Sequence, residues 1–130
     1  MASIFTKIIR REIPAHIVAE EDDFLAFLDI MPLVQGHTLV VPKLEVDYIF
    51  DLDDVTLSGL NVFAKKVSFA IQKATRCKRV GVVVLGLEVP HAHIHLVPMN
   101  SMKDVNFSNP KLKLSTDELA AVAEKIRDAF

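Results

Sequence analysis

Between His91 and Met99 the chain alternates polar and apolar positions, reading His91-Ala92-His93-Ile94-His95-Leu96-Val97-Pro98-Met99. A period of two predicts an extended strand with three imidazoles on one face and Ala92, Ile94 and Leu96 on the other, whereas a helix would scatter them. Upstream, Ile4, Phe5, Ile8 and Ile9 recur at helical spacing and predict a short helix that ends before Pro14. His16 to Ala19 and the near-continuous apolar run Phe24 to Ile30 flank the acidic turn Glu20-Glu21-Asp22-Asp23, the pattern of a hairpin. His37 to Pro42 predicts a further strand that stops at the proline. From Asp54 to about Thr75 the period changes: Leu60, Phe63, Val67, Ile71 and Ala74 form one stripe, with Asp53 and Asp54 in front and Lys73 and Arg76 behind, which complements the dipole of a long helix. Lys78 to Leu87, with Val82-Val83-Val84-Leu85 at its centre, predicts a strand leading through Gly86 and Pro90 into the histidine strand. Asn100 to Pro110 is polar and loop-like. Ser115-Thr116-Asp117-Glu118 has capping-box spacing ahead of a closing helix through Leu119, Val122, Ile126 and Phe130.

Antiparallel neighbours with helices to one side make this an α+β chain of about five strands. At 130 residues, with 51% hydrophobic and 25% charged side chains, a single domain spanning 1–130 is expected to bury a real core. The net charge of −2 offers no field for a nucleic-acid backbone, and Lys73, Arg76, Lys78 and Arg79 suit a solvated helix end. The lone Cys77 excludes an internal disulfide and fits a reducing compartment; no apolar run has the length of a membrane span and the start of the chain has no signal-peptide pattern. No nucleic acid, no membrane and a cytoplasmic location are the expectations.

Three stacked imidazoles admit three readings: a histidine-rich solvent-facing strand, a His-x-His metal site, or nucleophilic catalysis in which a neutral imidazole attacks phosphorus. His16 and His37 are the other histidines, and no carboxylate stands at obvious ligand spacing beside the three. Asp29, at the end of an apolar strand, is either a turn cap or a functional group.

The motif His91-Ala92-His93-Ile94-His95-Leu96-Val97 resembles the His-φ-His-φ-His-φ-φ signature of the histidine triad family, where φ is apolar. The likeness extends to Ile4 to Ile9 with Glu12-Ile13-Pro14, to Leu25 to Ile30 with Pro32, and to Gly36 to Lys43, in the family's order, and together these cover most of residues 4 to 98. The resemblance implies the histidine triad fold and a nucleotide hydrolase or nucleotidyl transferase acting at the α-phosphate of a purine nucleoside phosphate. His93 would be the nucleophile, His95 would contact the phosphate and His91 would orient. Neighbouring imidazoles on the same face would fix the tautomer of His93 and donate to phosphate oxygens. Asp29 would meet the ribose hydroxyls, Ile30, Gly86 and Glu88 would also line the nucleotide site, and Ile4, Phe5, Ile8, Phe27 and Leu28 would wall the base pocket. No cofactor is expected, and the resemblance implies a homodimer.

Two departures from the family pattern bear on function. Many bacterial relatives carry zinc ligands where this chain has Ser3, Thr6 and Glu45, so no structural zinc is expected. The usual Gly-Gln-Ser/Thr step before the triad reads Gly86-Leu87-Glu88 here, which places an anion where a phosphate would lie. A nucleotide-binding or scaffolding protein with little turnover is therefore the alternative to an enzyme, and neither the phosphoramidase-like nor the dinucleotide-hydrolase-like branch is selected. An unbroken apolar strand from Lys78 to Leu87 would be a hazard as a free edge, and Val62 and Phe69, off the helix stripe, are expected at or near a two-fold interface.

Overall fold

Strand order sets the histidine strand in the interior of one sheet, with an apolar cluster on each face of that sheet. The computed structural model describes residues 1–130. Five strands, β1 (Ile17–Glu20), β2 (Phe24–Leu28), β3 (Thr38–Pro42), β4 (Arg79–Val83) and β5 (Ile94–Met99), form one sheet in the order β1-β2-β3-β5-β4. Every neighbouring pair is antiparallel. The helices are α1 (Ile4–Ile9), α2 (Asp54–Thr75) and α3 (Thr116–Arg127), with short 3-10 turns at Ile49–Asp51 and Met102–Val105.

Helix α2 begins where Asp53 accepts the Thr56 N–H at 2.7 Å, and ends where Arg76 turns left-handed at φ 58°. Its stripe of Leu60, Phe63, Val67, Ile71 and Ala74 packs with Leu119, Ala123 and Ile126 of α3 onto Phe24, Ala26, Leu28, Val40, Ile94 and Leu96 of the sheet. Helix α3 carries the full capping box, Ser115 accepting from Glu118 N–H and Glu118 from Ser115 N–H. On the opposite sheet face, Phe5 and Ile8 of α1 cover Leu25, Phe27, Leu39 and Val41. Strands β2 and β3 are thus buried at every position, and so carry almost no polar residues. Truncating Ile71, which has no exposed surface, to Ala is expected to cost about 2–5 kcal/mol by this packing.

The structure corrects three of the expected elements. The strand expected to reach Ile30 ends at Leu28, because Asp29 Oδ1 accepts the Met31 N–H at 2.9 Å and turns the chain out of the ladder. The strand expected to reach Leu87 ends at Val83, so Val84 and Leu85 leave the sheet. The histidine strand starts at Ile94, and His91 and His93 precede it. The ladder with β3 stops at Val40–Ile94. Beyond it Ala92 N–H bonds to Val46 O at 2.7 Å, while the Pro42 carbonyl is taken by the ring of His91. Alternation nevertheless survives: Ala92, Ile94 and Leu96 enter the core under α2, while His91 and His93 meet Phe5 of α1 and His95 packs beside His93.

Strand β4 is an edge whose Val82 is 62% exposed, and Val62 and Phe69 stand on the outer side of α2 at 55% and 61% exposure. No helix is long and apolar enough to cross a membrane.

Candidate functional site

Two backbone carbonyls and one backbone N–H decide where the protons of the histidines lie. His91 is fully buried, and its Nε2 is 2.8 Å from Pro42 O. A carbonyl only accepts, so Nε2 carries the proton and Nδ1 is left to accept from Ser3 Oγ at 2.8 Å. Burial lowers the pKa of His91, which keeps this ring neutral. Its carbonyl in turn lies 2.7 Å from His93 Nδ1. His93 therefore holds its proton on Nδ1 and presents a lone pair at Nε2. The tautomer is set by a backbone carbonyl rather than by the neighbouring imidazoles expected from the sequence. The ring of Phe5 stands edge-on to His93 at 5.0 Å, with His95 at 4.9 Å on another side.

His37 governs the third histidine. Leu33 N–H donates to His37 Nδ1 at 3.1 Å, so the proton of His37 is on Nε2, which lies 3.0 Å from His95 Nδ1. His95 must accept there, and its own proton is then on Nε2. Burial pushes His37 down to about 4 and His95 down to about 3, so both rings are neutral at neutral pH and the donor on His95 persists. Nearby positive charge from Lys111 adds to both effects. The ring of Phe107 closes this side at 5.0 Å from His95 and 6.1 Å from His37.

The fold also brings a carboxylate to the triad, which the sequence spacing did not suggest. One ligand atom each of Asp29, His37 and His95 lie within 4.8 Å of one another, two imidazoles and a carboxylate. The set nevertheless does not fit a metal. A metal on His37 Nε2 would require the proton on Nδ1, facing the Leu33 N–H that already points at it. The Asp29 carboxyl is raised by its burial, and its Oδ2 stays 3.7 Å from His37 Nε2, too far for a hydrogen bond. A second group gathers Ser3, Thr6 and Glu45, the positions compared above with zinc ligands, beside His91. Here Glu45 Oε1 accepts from Ser3 N–H and Thr6 Oγ1–H, each at 2.6 Å.

Of the remaining residues expected at the site, Phe5, Ile8 and Phe27 lie in the apolar cluster on the triad face. Leu28 does not: strand alternation turns it into the core under α2, on the opposite face from Phe27. Ile4 points outward from α1 and Ile30 is 65% exposed beyond the end of β2. Gly86 has φ 78° with open space where a Cβ would stand, and Glu88 is exposed on the segment that follows. His37 and Phe107 are the site residues that sequence reasoning missed. For His37 a signal existed: antiparallel pairing of the strand after Gly36 with the histidine strand sets Leu39 against His95 and brings His37 beside it.

Residues 10–102 match the family model of the HIT domain. Among curated proteins, the chain is 33% identical over 129 residues to the adenosine 5'-monophosphoramidase hnt1 of Schizosaccharomyces pombe, with 97% of this chain and 96% of that one covered. It is 34% identical over 131 residues to an uncharacterised HIT-like protein of Borreliella burgdorferi, covering 95% and 94%. Among solved structures, a Hit-like protein from Bartonella henselae described as involved in cell-cycle regulation superposes with a TM-score of 0.86 at 34% identity, covering 98% of this chain and 96% of that one. The chain belongs to the histidine triad family and has its fold.

Proposed function

We propose that this chain hydrolyses nucleoside phosphate derivatives at the α-phosphate through a covalent nucleotidyl-His93. The observation that carries the reading is the proton placement: His93 Nδ1–H is tied to the His91 carbonyl at 2.7 Å, leaving Nε2 as the free lone pair beside a His95 donor. His93 Nε2 forms a bond to phosphorus while the bond to the leaving group breaks, and the leaving group departs with that electron pair and takes a proton from solvent. His95 Nε2–H donates to a phosphate oxygen as charge builds, and stays neutral while doing so. Water then attacks phosphorus and gives up a proton to solvent, the P–N bond breaks with its electron pair returning to His93 Nε2, and nucleoside monophosphate leaves. Asp29 accepts from the ribose hydroxyls, while Phe5, Ile8 and Phe27 are buried and support the triad face from within. The similarity to a fission-yeast adenosine 5'-monophosphoramidase supports an adenine nucleotide linked to an amine as substrate.

The partner in solution is a second copy of the chain. Tyr48, Phe50, Val82, Val84, Leu85 and Leu87 are exposed around an apolar cavity of about 550 Å³ beside the β4 edge. A contiguous apolar surface next to an unpaired strand suits burial by closed two-fold symmetry. A reducing, cytoplasmic setting fits the single buried Cys77.

A second reading, a nucleotide-binding protein of low turnover, rests on Gly86-Leu87-Glu88 standing where the family pattern has Gly-Gln-Ser/Thr. Nucleoside-monophosphate release from adenosine phosphoramidate and from diadenosine polyphosphate separates the two. Release from either substrate supports the hydrolase, and tight binding with no release from both supports the binding protein.

A further inference from the structure

Glu45 lies at one end of a hydrogen-bonded chain whose other end is the ring of His93. Its Oε1 accepts from Ser3 N–H, 42 positions away, and from Thr6 Oγ1–H, both at 2.6 Å. Ser3 Oγ accepts the Thr6 N–H at 3.0 Å, and its own proton is directed to His91 Nδ1 at 2.8 Å. The ring is held on its other side by Pro42 O, and the His91 carbonyl takes the His93 Nδ1–H. Both ring nitrogens of His91 are thus anchored, one to the start of α1 and one to the end of β3.

Two hydroxyls compete for His91. Thr6 Oγ1 lies 3.4 Å from His91 Nδ1 and 3.3 Å from Ser3 Oγ, close enough to donate to either if its proton were free. Glu45 removes that proton from the competition, since a carboxylate is the stronger acceptor. The bonds from Ser3 N–H and Thr6 hold the Glu45 carboxyl down to about 2, so it stays ionised at any pH where the protein is expected to work.

We propose that Glu45 is a positioning residue for the nucleophile: by engaging Thr6 and the Ser3 N–H it makes Ser3 the sole donor to His91, and so holds the His91 ring and its carbonyl in the place from which that carbonyl accepts the His93 Nδ1–H. This role presupposes His93 as the nucleophile. None of Ser3, Thr6 or Glu45 touches the reacting atoms, and the effect reaches them through a ring and a peptide group.

The test reads tautomers and rates separately. Nitrogen-15 spectra of the imidazoles, recorded without substrate on the full chain, are expected to show His91 protonated on Nε2 and His93 on Nδ1. Glu45→Ala leaves the His91 tautomer, which Pro42 O sets, but loosens the His91 carbonyl from His93 Nδ1–H so that His93 samples both tautomers, and lowers kcat on adenosine phosphoramidate about tenfold or more with KM nearly unchanged, the pattern of a misplaced rather than missing group. Glu45→Gln, whose amide oxygen still accepts both bonds, restores tautomers and kcat. If Glu45→Ala does not fold, Ser3→Ala removes the donor from the other end and is expected to give the same mixed tautomers. Wild-type tautomers in Glu45→Ala, whatever its Tm, overturn the proposal, as do mixed tautomers with unchanged kcat. A wild-type chain with no turnover would instead overturn His93 as nucleophile, and the spectra would still show whether Glu45 orders the two rings.

Discussion

His37 Nε2 lies 3.0 Å from His95 Nδ1, although the two residues are 58 positions apart, and the Leu33 N–H behind His37 gives that bond a direction. His37 therefore decides which nitrogen of His95 faces the phosphate. His37→Phe keeps the buried volume but removes the donor, leaving His95 free to place its proton on Nδ1 and face the substrate with a lone pair. We expect kcat to fall on the order of 10–100-fold while nucleotide binding changes much less, and His37→Gln, which can donate from its amide, to recover part of the loss. Equal losses in both variants would mean that His37 acts by packing alone.

The same pair sets a pH dependence of stability. His37 and His95 are lowered from 6.5 to about 4 and about 3 by burial, so below their ordinary value the unfolded chain binds protons that the folded chain refuses. Stability is fully present above about pH 6.5 and declines as the pH falls toward 4, by up to about 1.4 kcal/mol per pH unit for each ring. Chemical denaturation at pH 7.5, 6, 5 and 4.5 should show this slope, and His37→Phe should flatten it. A wild-type midpoint constant across that range would contradict neutral burial of the pair.

Asp29→Ala is expected to weaken ribonucleotides far more than their 2′,3′-dideoxy analogues. A carboxylate accepting two hydroxyl bonds contributes about 1.5–3 kcal/mol that the dideoxy ligand never had. Titration calorimetry with the paired ligands measures the difference directly. Equal weakening of both would leave Asp29 as the cap that turns the chain through Met31 N–H.

Light scattering at micromolar concentration should give about twice the chain mass, and Val82→Asp, placing a charge on the exposed β4 edge, should give a monomer. A wild-type monomer would leave the exposed Val62, Phe69 and Leu85 without an account.

What could be read from the sequence is what local physics controls. The bounds of α2 follow from Asp53, the apolar stripe and the basic end, and the start of α3 from Ser115 and Glu118, because caps and stripes act within a few residues. The strand ends were less legible. Asp29 looks like part of an apolar run until its side chain takes the Met31 N–H, and His91 and His93 look like strand until the partner ladder runs out. The motif marked the three histidines, and the family resemblance assigned roles to them. The proton placement that makes such chemistry possible comes from Pro42 O, His91 O and Leu33 N, backbone atoms with no signature in the sequence. Phe107 sat in a stretch read as polar loop, and only the fold carries it to His95.

The central claim is covalent catalysis at His93, and the turnover of His93→Asn tests it most directly. With circular dichroism and nucleotide binding near wild type, the variant is expected to lose on the order of 10³-fold or more in nucleoside-monophosphate release, because no other group in the site offers an aligned lone pair. Retention of more than a few per cent of wild-type turnover would contradict nucleophilic attack by His93.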